Sequence, residues 1–216
     1  MKKQDILSIL FIGGIATIFL VPASLKVYHN LYSQYPVLLS FIKFALLATF
    51  GEMLVLRIKK GKYIEKEFGL LPKVIIWGFL GMIIYIAFVI FANGVPALLF
   101  KNIEIDTIGL KLANAFLISF FMNIIFAPVM MIFHNLTDLH IKNNNGKFPI
   151  KTFYPVELFK QIDWNRMWGF VLKKTIPFFW IPAHTITFML PAEFRVLFAA
   201  FLSIILGLLL ALGVKN

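Results

Sequence analysis

FFWIPAHTITFMLPAEFR, residues 178–195, is apolar enough to lie in a bilayer, yet it holds two prolines, a histidine, a glutamate and an arginine. An arginine at the centre of a membrane helix costs about 2.5–3.5 kcal/mol on insertion scales, and ionisable groups at that depth face a bundle interior or a water-filled cavity. The stretch therefore predicts a helix enclosed by protein or water. His184, Glu193 and Arg195 lie within it, between and beyond Pro182 and Pro191.

The rest of the chain supplies the bundle. Of its 216 residues 60% are hydrophobic and 14% charged, against about half apolar and about a quarter charged in a soluble domain. Six apolar segments stand out: Ile6–Leu25, Pro36–Leu56, Val74–Phe100, Gly109–Phe133, Trp168–Leu190 and Val196–Val214. About 20 apolar residues suffice to cross the hydrocarbon layer as a helix. A lipid-embedded segment must also satisfy its own backbone polar groups, and these runs are too long for barrel strands. The expected fold is an all-α polytopic transmembrane bundle of about six hydrophobic helices. No Gly-, Ser- or Pro-rich linker divides it, so a single domain over 1–216 is expected, with residues 1–25 as an additional N-terminal helix.

The net charge of +11 would point to nucleic acid in a soluble protein. Here it reports topology, because the basic residues cluster in short loops. With the N-terminus inside, Lys2, Lys3, Arg57, Lys59, Lys60, Lys62, Lys66, Lys73, Lys142, Lys147, Lys151, Lys160, Arg166 and Lys215 fall on the cytoplasmic side. Only Lys26, Lys101 and Arg195 fall opposite. Both termini are expected in the cytoplasm of a multi-pass cell-membrane protein. The first segment also fits a cleaved secretory signal, with Met-Lys-Lys, an apolar core and Val21-Pro22-Ala23; an uncleaved span is the preferred reading.

The longest loop is expected over His134–Met167. Its Asn143–Gly146 run signals a turn, and Pro155 is placed to open an interfacial cytoplasmic helix that turns Leu158, Phe159, Ile162 and Met167 to one side. Trp164 and Trp168 suit an aromatic belt.

Within the spans, each polar group is a candidate and each has a structural alternative. Glu52 lies close to the basic 57–62 run, where an ion pair would explain it, and Lys43 can snorkel outward. Asn93, Asn114, Asn123 and Ser119 can line a polar path or hydrogen-bond between helices. Pro96, Pro128, Pro177, Pro182 and Pro191 each lack a backbone donor and mark helix breaks, with Thr175, Thr185 and Thr187 able to satisfy carbonyls nearby. Arg195 reads as an interface anchor or a pore charge. The candidates for a polar path are Glu52, Asn93, Asn123, His184 and Arg195.

Enzyme signals are weak. The four histidines show no metal-binding spacing, and no phosphate loop or nucleophile elbow occurs. Without cysteine thiol chemistry is excluded. No enzyme activity, metal or cofactor is expected.

The C-terminal run resembles the signature of the Mpv17/PMP22 family of integral membrane proteins. Ile181-Pro182, Thr187-Phe188, Leu190-Pro191 and Phe194-Arg195 stand where the family has Trp-Pro, Asn-Phe, Val-Pro and an aromatic-Arg pair. Tyr35-Pro36, Gly51-Glu52 and the Asn123–Pro128 stretch are similar to earlier family elements. Gly81 with Tyr85 reduces the family's Gly-Pro, His and Trp-Tyr motif, and Met122 replaces an acid. The resemblance covers residues 27–216 and implies a divergent member; a composition rich in Phe, Ile, Lys and Asn points to a bacterial plasma membrane. It implies channel-like passage of small solutes or ions, with lipid and a small solute or ion as partners, no nucleic acid, and a homo-oligomer as a further expectation. The alternatives are a membrane scaffold or stress-related structural protein without transport, and an intramembrane enzyme using His184 and Glu52.

Overall fold

The computed structural model describes residues 3–213, which form helices and turns with no strand among them. Lys2, Val214 and Lys215, assigned above to the inner side or the last span, lie outside the described residues, as does the side chain of Lys3. Two compact units are present, residues 1–39 and residues 40–216.

In the first unit, α1 (Lys3–Leu20) and α2 (Pro22–Gln34) are separated at Val21, which is extended at φ −97° and ψ 118°. The cause is Pro22, whose ring disfavours the helical region for the residue before it. Pro36 opens the next helix in the same way, after Tyr35. The first apolar segment is thus cut at Leu20 and does not run to Leu25. Tyr28 is buried and stacks with Tyr32, their ring centroids 6.5 Å apart.

The second unit holds most of α3 (Pro36–Lys60), then α4 (Leu70–Leu99), α5 (Ile108–Ile125), α6 (Ala127–Asn143), the short α7 (Pro155–Lys160) and α8 (Trp164–Arg166). A π-helix (Met167–Trp180), α9 (Ile181–Met189) and α10 (Ala192–Gly213) complete it. Four helices, α3, α4, α5 and α10, are long and apolar enough to cross a membrane. On α4 the outward Phe79, Ile83, Ile86 and Ile90 are exposed while Gly81, Ile84 and Phe88 are buried. An apolar residue on both faces is the pattern of a helix between protein and lipid.

Because lipid is as apolar as leucine, close packing rather than hydrophobicity holds such helices together. Small residues allow it. A Cβ on Gly81 would stand 2.5 Å from the Ser40 carbonyl oxygen and 2.6 Å from Phe44 Cβ, so α3 and α4 touch at backbone distance there. Behind α5 and α6, Ala127, Ile176, Trp180, Ala183 and Leu202 join α6, the π-helix, α9 and α10 in one cluster.

Three sequence expectations are corrected. The loop placed at His134–Met167 begins only after Asn143, because Leu136, Thr137, His140 and Ile141 give α6 a buried face at helical spacing. The fourth apolar segment is divided at Phe126, since Pro128 has no N–H to continue the ladder and takes a position in the first turn of α6. The fifth segment keeps helical backbone to Met189, and the break falls only at Leu190–Pro191. Its π-helical bonding runs five residues back, as where the Ile181 N–H meets the Ile176 carbonyl, which accommodates Pro177 within the run, while Pro182 sits in the first turn of α9 where no donor is needed. Thr175, Thr185 and Thr187 donate to Phe170, Ile181 and Ala183 carbonyls, none of which a proline had freed. Pro96 lies in the last turn of α4.

The segment after Asn143 does present one apolar side. Leu158, Ile162 and Met167 are buried against Leu136, while Phe159 turns to Trp164.

Candidate functional site

Two polar clusters form inside the second unit, with a cavity between them.

The first is ionic. Gly69 and Gly146, at φ +66° and +83°, bring the loop after α3 onto the turn after α6: a Cβ on Gly146 would stand 2.4 Å from the Lys66 carbonyl oxygen. That contact fixes the start of α4 beside α6. Lys73 Nζ then bonds Glu52 of α3 and, at 2.6 Å, Asp138 of α6. Trp77, one turn beyond Lys73, donates from Nε1 to Glu52 Oε1 at 2.7 Å. His134, one turn before Asp138, puts Nε2 3.4 Å from Glu52 and 3.7 Å from Asp138, and its ring lies 4.3 Å from that of Trp77. Two i,i+4 pairs, Lys73/Trp77 and His134/Asp138, thus face each other across Glu52. Glu52, His134 and Asp138 also have the mutual spacing of a metal-ligand set; the Lys73 ammonium already occupies the position between the two carboxylates.

The second cluster is neutral. Asn123 of α5 is fully buried and His184 of α9 is 8% exposed. The Asn123 Nδ2 group donates to the Ser119 carbonyl at 2.8 Å and lies 3.2 Å from Ser119 Oγ, and Ser119 Oγ donates to the Ile181 carbonyl at 2.7 Å. His184 Nδ1 lies 3.1 Å from Nδ2 and 3.2 Å from Oδ1 of Asn123. Buried groups must be paired. Oδ1 finds its donor only if Nδ1 carries the proton, while both Nδ2 protons are taken up by Ser119. The tautomer that satisfies the network therefore has Nδ1–H donating to Oδ1, with Nε2 as a bare acceptor. Trp180 stacks on His184 with centroids 5.0 Å apart, and Phe88 meets it edge-on at 5.5 Å.

Between the clusters is a cavity of about 60 Å³, lined among others by Phe88, Asn123, Met130, His134, Trp180, His184 and Ser203. Two of the lining residues hold a buried nitrogen that makes no hydrogen bond among the described residues: Trp180 Nε1, and His134 Nε2, which meets Glu52 and Asp138 at ion-pair distance.

Of the five polar-path residues read from the sequence, Asn123 and His184 line this cavity and Glu52 stands behind His134. Arg195 lies elsewhere: its guanidinium donates to the Leu190 carbonyl at 2.9 Å and the Phe188 carbonyl at 3.4 Å, and it covers the Phe188 ring. It caps the end of α9 where Pro191 interrupts the backbone. Near it, Lys43 is buried with Nζ 3.4 Å from the Glu193 carbonyl. Asn93 is exposed on α4 and donates to its own helix at Val89, 2.8 Å away. Asn114 keeps a buried Oδ1 without a hydrogen-bond partner among the described residues.

The sequence reading did not find Lys73, Trp77, His134 and Asp138 as one site. Lys73 was counted as a loop charge, and Glu52 was referred to the 57–62 run rather than to α4. The i,i+4 spacing was visible, but which helices are neighbours was not. No protein-family model matches the chain, and no curated protein or solved structure matches it either.

Proposed function

We propose that this protein is a multi-pass membrane protein that passes small solutes or ions, with the cavity between His134 and the Asn123–His184 pair as part of the path. The observation that carries the reading is the cavity itself: buried polar groups of α5, α6 and α9 converge on a space walled by protein, as non-apolar groups at membrane depth do where a pathway exists. The Lys73–Glu52–Asp138 cluster then closes the cytoplasmic end, and Arg195 with Lys43 stands toward the outer end.

Six crossings fit the chain better than four. The π-helix and α9 together give 14 and 9 consecutive helical residues, and α1 gives 18, each near the length of about 20 that spans hydrocarbon. The contact of Gly69 with Gly146 puts the loops bearing Lys66 and Lys147 on one side, in keeping with a positive cytoplasmic face and with both termini there. Membership in the Mpv17/PMP22 family rests on the quoted sequence elements, and the clustering of Asn123 with α9 lends it spatial sense.

The test is flux through purified, folded protein in liposomes, with a panel of ions and small solutes. Release above that of protein-free vesicles is expected; no release across the panel overturns the reading. A scaffold without transport is favoured instead by the bond from Ser119 to the Ile181 carbonyl, which ties α5 to α9, and it predicts that Glu52→Gln lowers stability in a protein that passes nothing.

A further inference from the structure

Within that proposed path, we infer that the cavity selects small neutral solutes with both a hydrogen-bond donor and an acceptor, and excludes ions. The inference rests on the passage reading and adds the chemical class.

Three observations lead to it. First, the walls are ring faces and thioethers, from Phe88, Trp180 and Met130 among others. An ion stripped of water against such walls meets no carboxylate among the lining residues: Glu52 and Asp138 lie outside the lining and turn to Lys73 and His134, and desolvating an unpaired charge is far more costly than desolvating a hydroxyl or amide. Second, Trp180 is 7% exposed and its Nε1–H is buried with no acceptor among the described residues. An indole nitrogen only donates, so a partner that it takes from the cavity Trp180 lines is an acceptor. Third, the Asn123–His184 bond leaves the His184 Nε2 lone pair without a protein donor among the described residues. One donor and one acceptor sit on two stacked rings, 5.0 Å apart between centroids. A molecule that presents one of each can satisfy both.

The volume sets the size. At about 10–15 Å³ of such volume for one water molecule, a cavity of about 60 Å³ holds a few waters, or one solute of the size of urea, formamide or glycerol.

The experiment compares urea, formamide and glycerol with potassium and chloride in the same proteoliposomes, reading shrinkage and reswelling for the former and ion-selective dyes for the latter. Expected are neutral-solute flux without ion flux, and a loss of about two- to tenfold in that flux for Trp180→Phe, the range that one hydrogen bond supplies. Ion flux without neutral-solute flux overturns the inference and leaves the passage reading standing. No flux of either kind, from protein whose thermal unfolding is intact, overturns both. If Trp180→Phe does not fold, His184→Gln replaces it, and neutral flux unaltered in the folded variant also overturns the assignment.

Discussion

Lys73 Nζ on α4 donates to Asp138 Oδ1 on α6 at 2.6 Å, and the same ammonium bonds Glu52 on α3. One cation therefore joins three helices at one end of the bundle. Removing it leaves two carboxylates facing each other with only His134 between them. These side chains are 11% to 36% exposed, so the cost lies between those of surface and fully buried pairs. Lys73→Met is expected to lose about 1–3 kcal/mol. Asp138→Asn should cost least, because Lys73 keeps Glu52; Glu52→Gln should fall between, since its amide oxygen can still accept from Trp77. Unfolding in detergent measures the order, and an Asp138→Asn loss exceeding that of Lys73→Met would contradict it.

The Asn123–His184 pair predicts strong coupling. Asn123→Ala strands the His184 Nδ1–H, at about 1–3 kcal/mol for a buried donor left alone, while Ser119 Oγ keeps its bond to the Ile181 carbonyl. Ser119→Ala should cost less, because the Ile181 carbonyl that it serves also accepts from Thr185 Oγ1 at 2.8 Å. A double-mutant cycle with Asn123→Ala and His184→Ala should give a non-zero coupling energy; strict additivity would mean that the bond contributes nothing.

At Gly146, φ is +83° and an added Cβ would stand 2.4 Å from the Lys66 carbonyl oxygen. Gly146→Ala is thus strained in conformation and in space, and a loss of about 1–3 kcal/mol is expected. Lys66 lies in the loop it holds and Lys73 in the first turn of α4, which follows that loop, so Gly146→Ala should also weaken the coupling between Lys73 and Asp138. Measuring that coupling in the Gly146→Ala background decides whether the turn positions the cluster.

Much of the fold was legible in composition: long apolar runs with so few charges admit little except helices in a membrane, and four of the six runs hold helices long and apolar enough to cross one, α3, α4, α5 and α10. Prolines follow the ends of α1, α2 and α5; from sequence, Pro128 reads as a break inside one span, and the first segment carries on through Pro22 to Leu25. The π-helix was not legible, because no local motif announces five-residue bonding; within it Ile176 and Trp180 pack with Ala127 of α6 and Leu202 of α10, partners that one dimension does not show. In the site, Asn123 and His184 were readable as costly polar groups, each explicable only by a partner. Asn93 carried the same signal, yet its amide closes on its own helix at Val89, and sequence cannot separate those two outcomes. Lys73 and Asp138 sat where loop charges are ordinary, so nothing in one dimension distinguished them from solvated residues.

The central claim is that water, and not lipid, reaches the polar interior. The chain contains no cysteine, so single substitutions report cleanly on access. Ser203→Cys and Met130→Cys place a thiol on the cavity wall, whereas Phe178→Cys and Ile124→Cys place one on exposed outer surfaces of the same bundle, 80% and 51% accessible. Labelling in intact membranes with a membrane-impermeant thiol reagent should modify the first pair and spare the second. Modification of the outer pair with a protected wall would contradict the account.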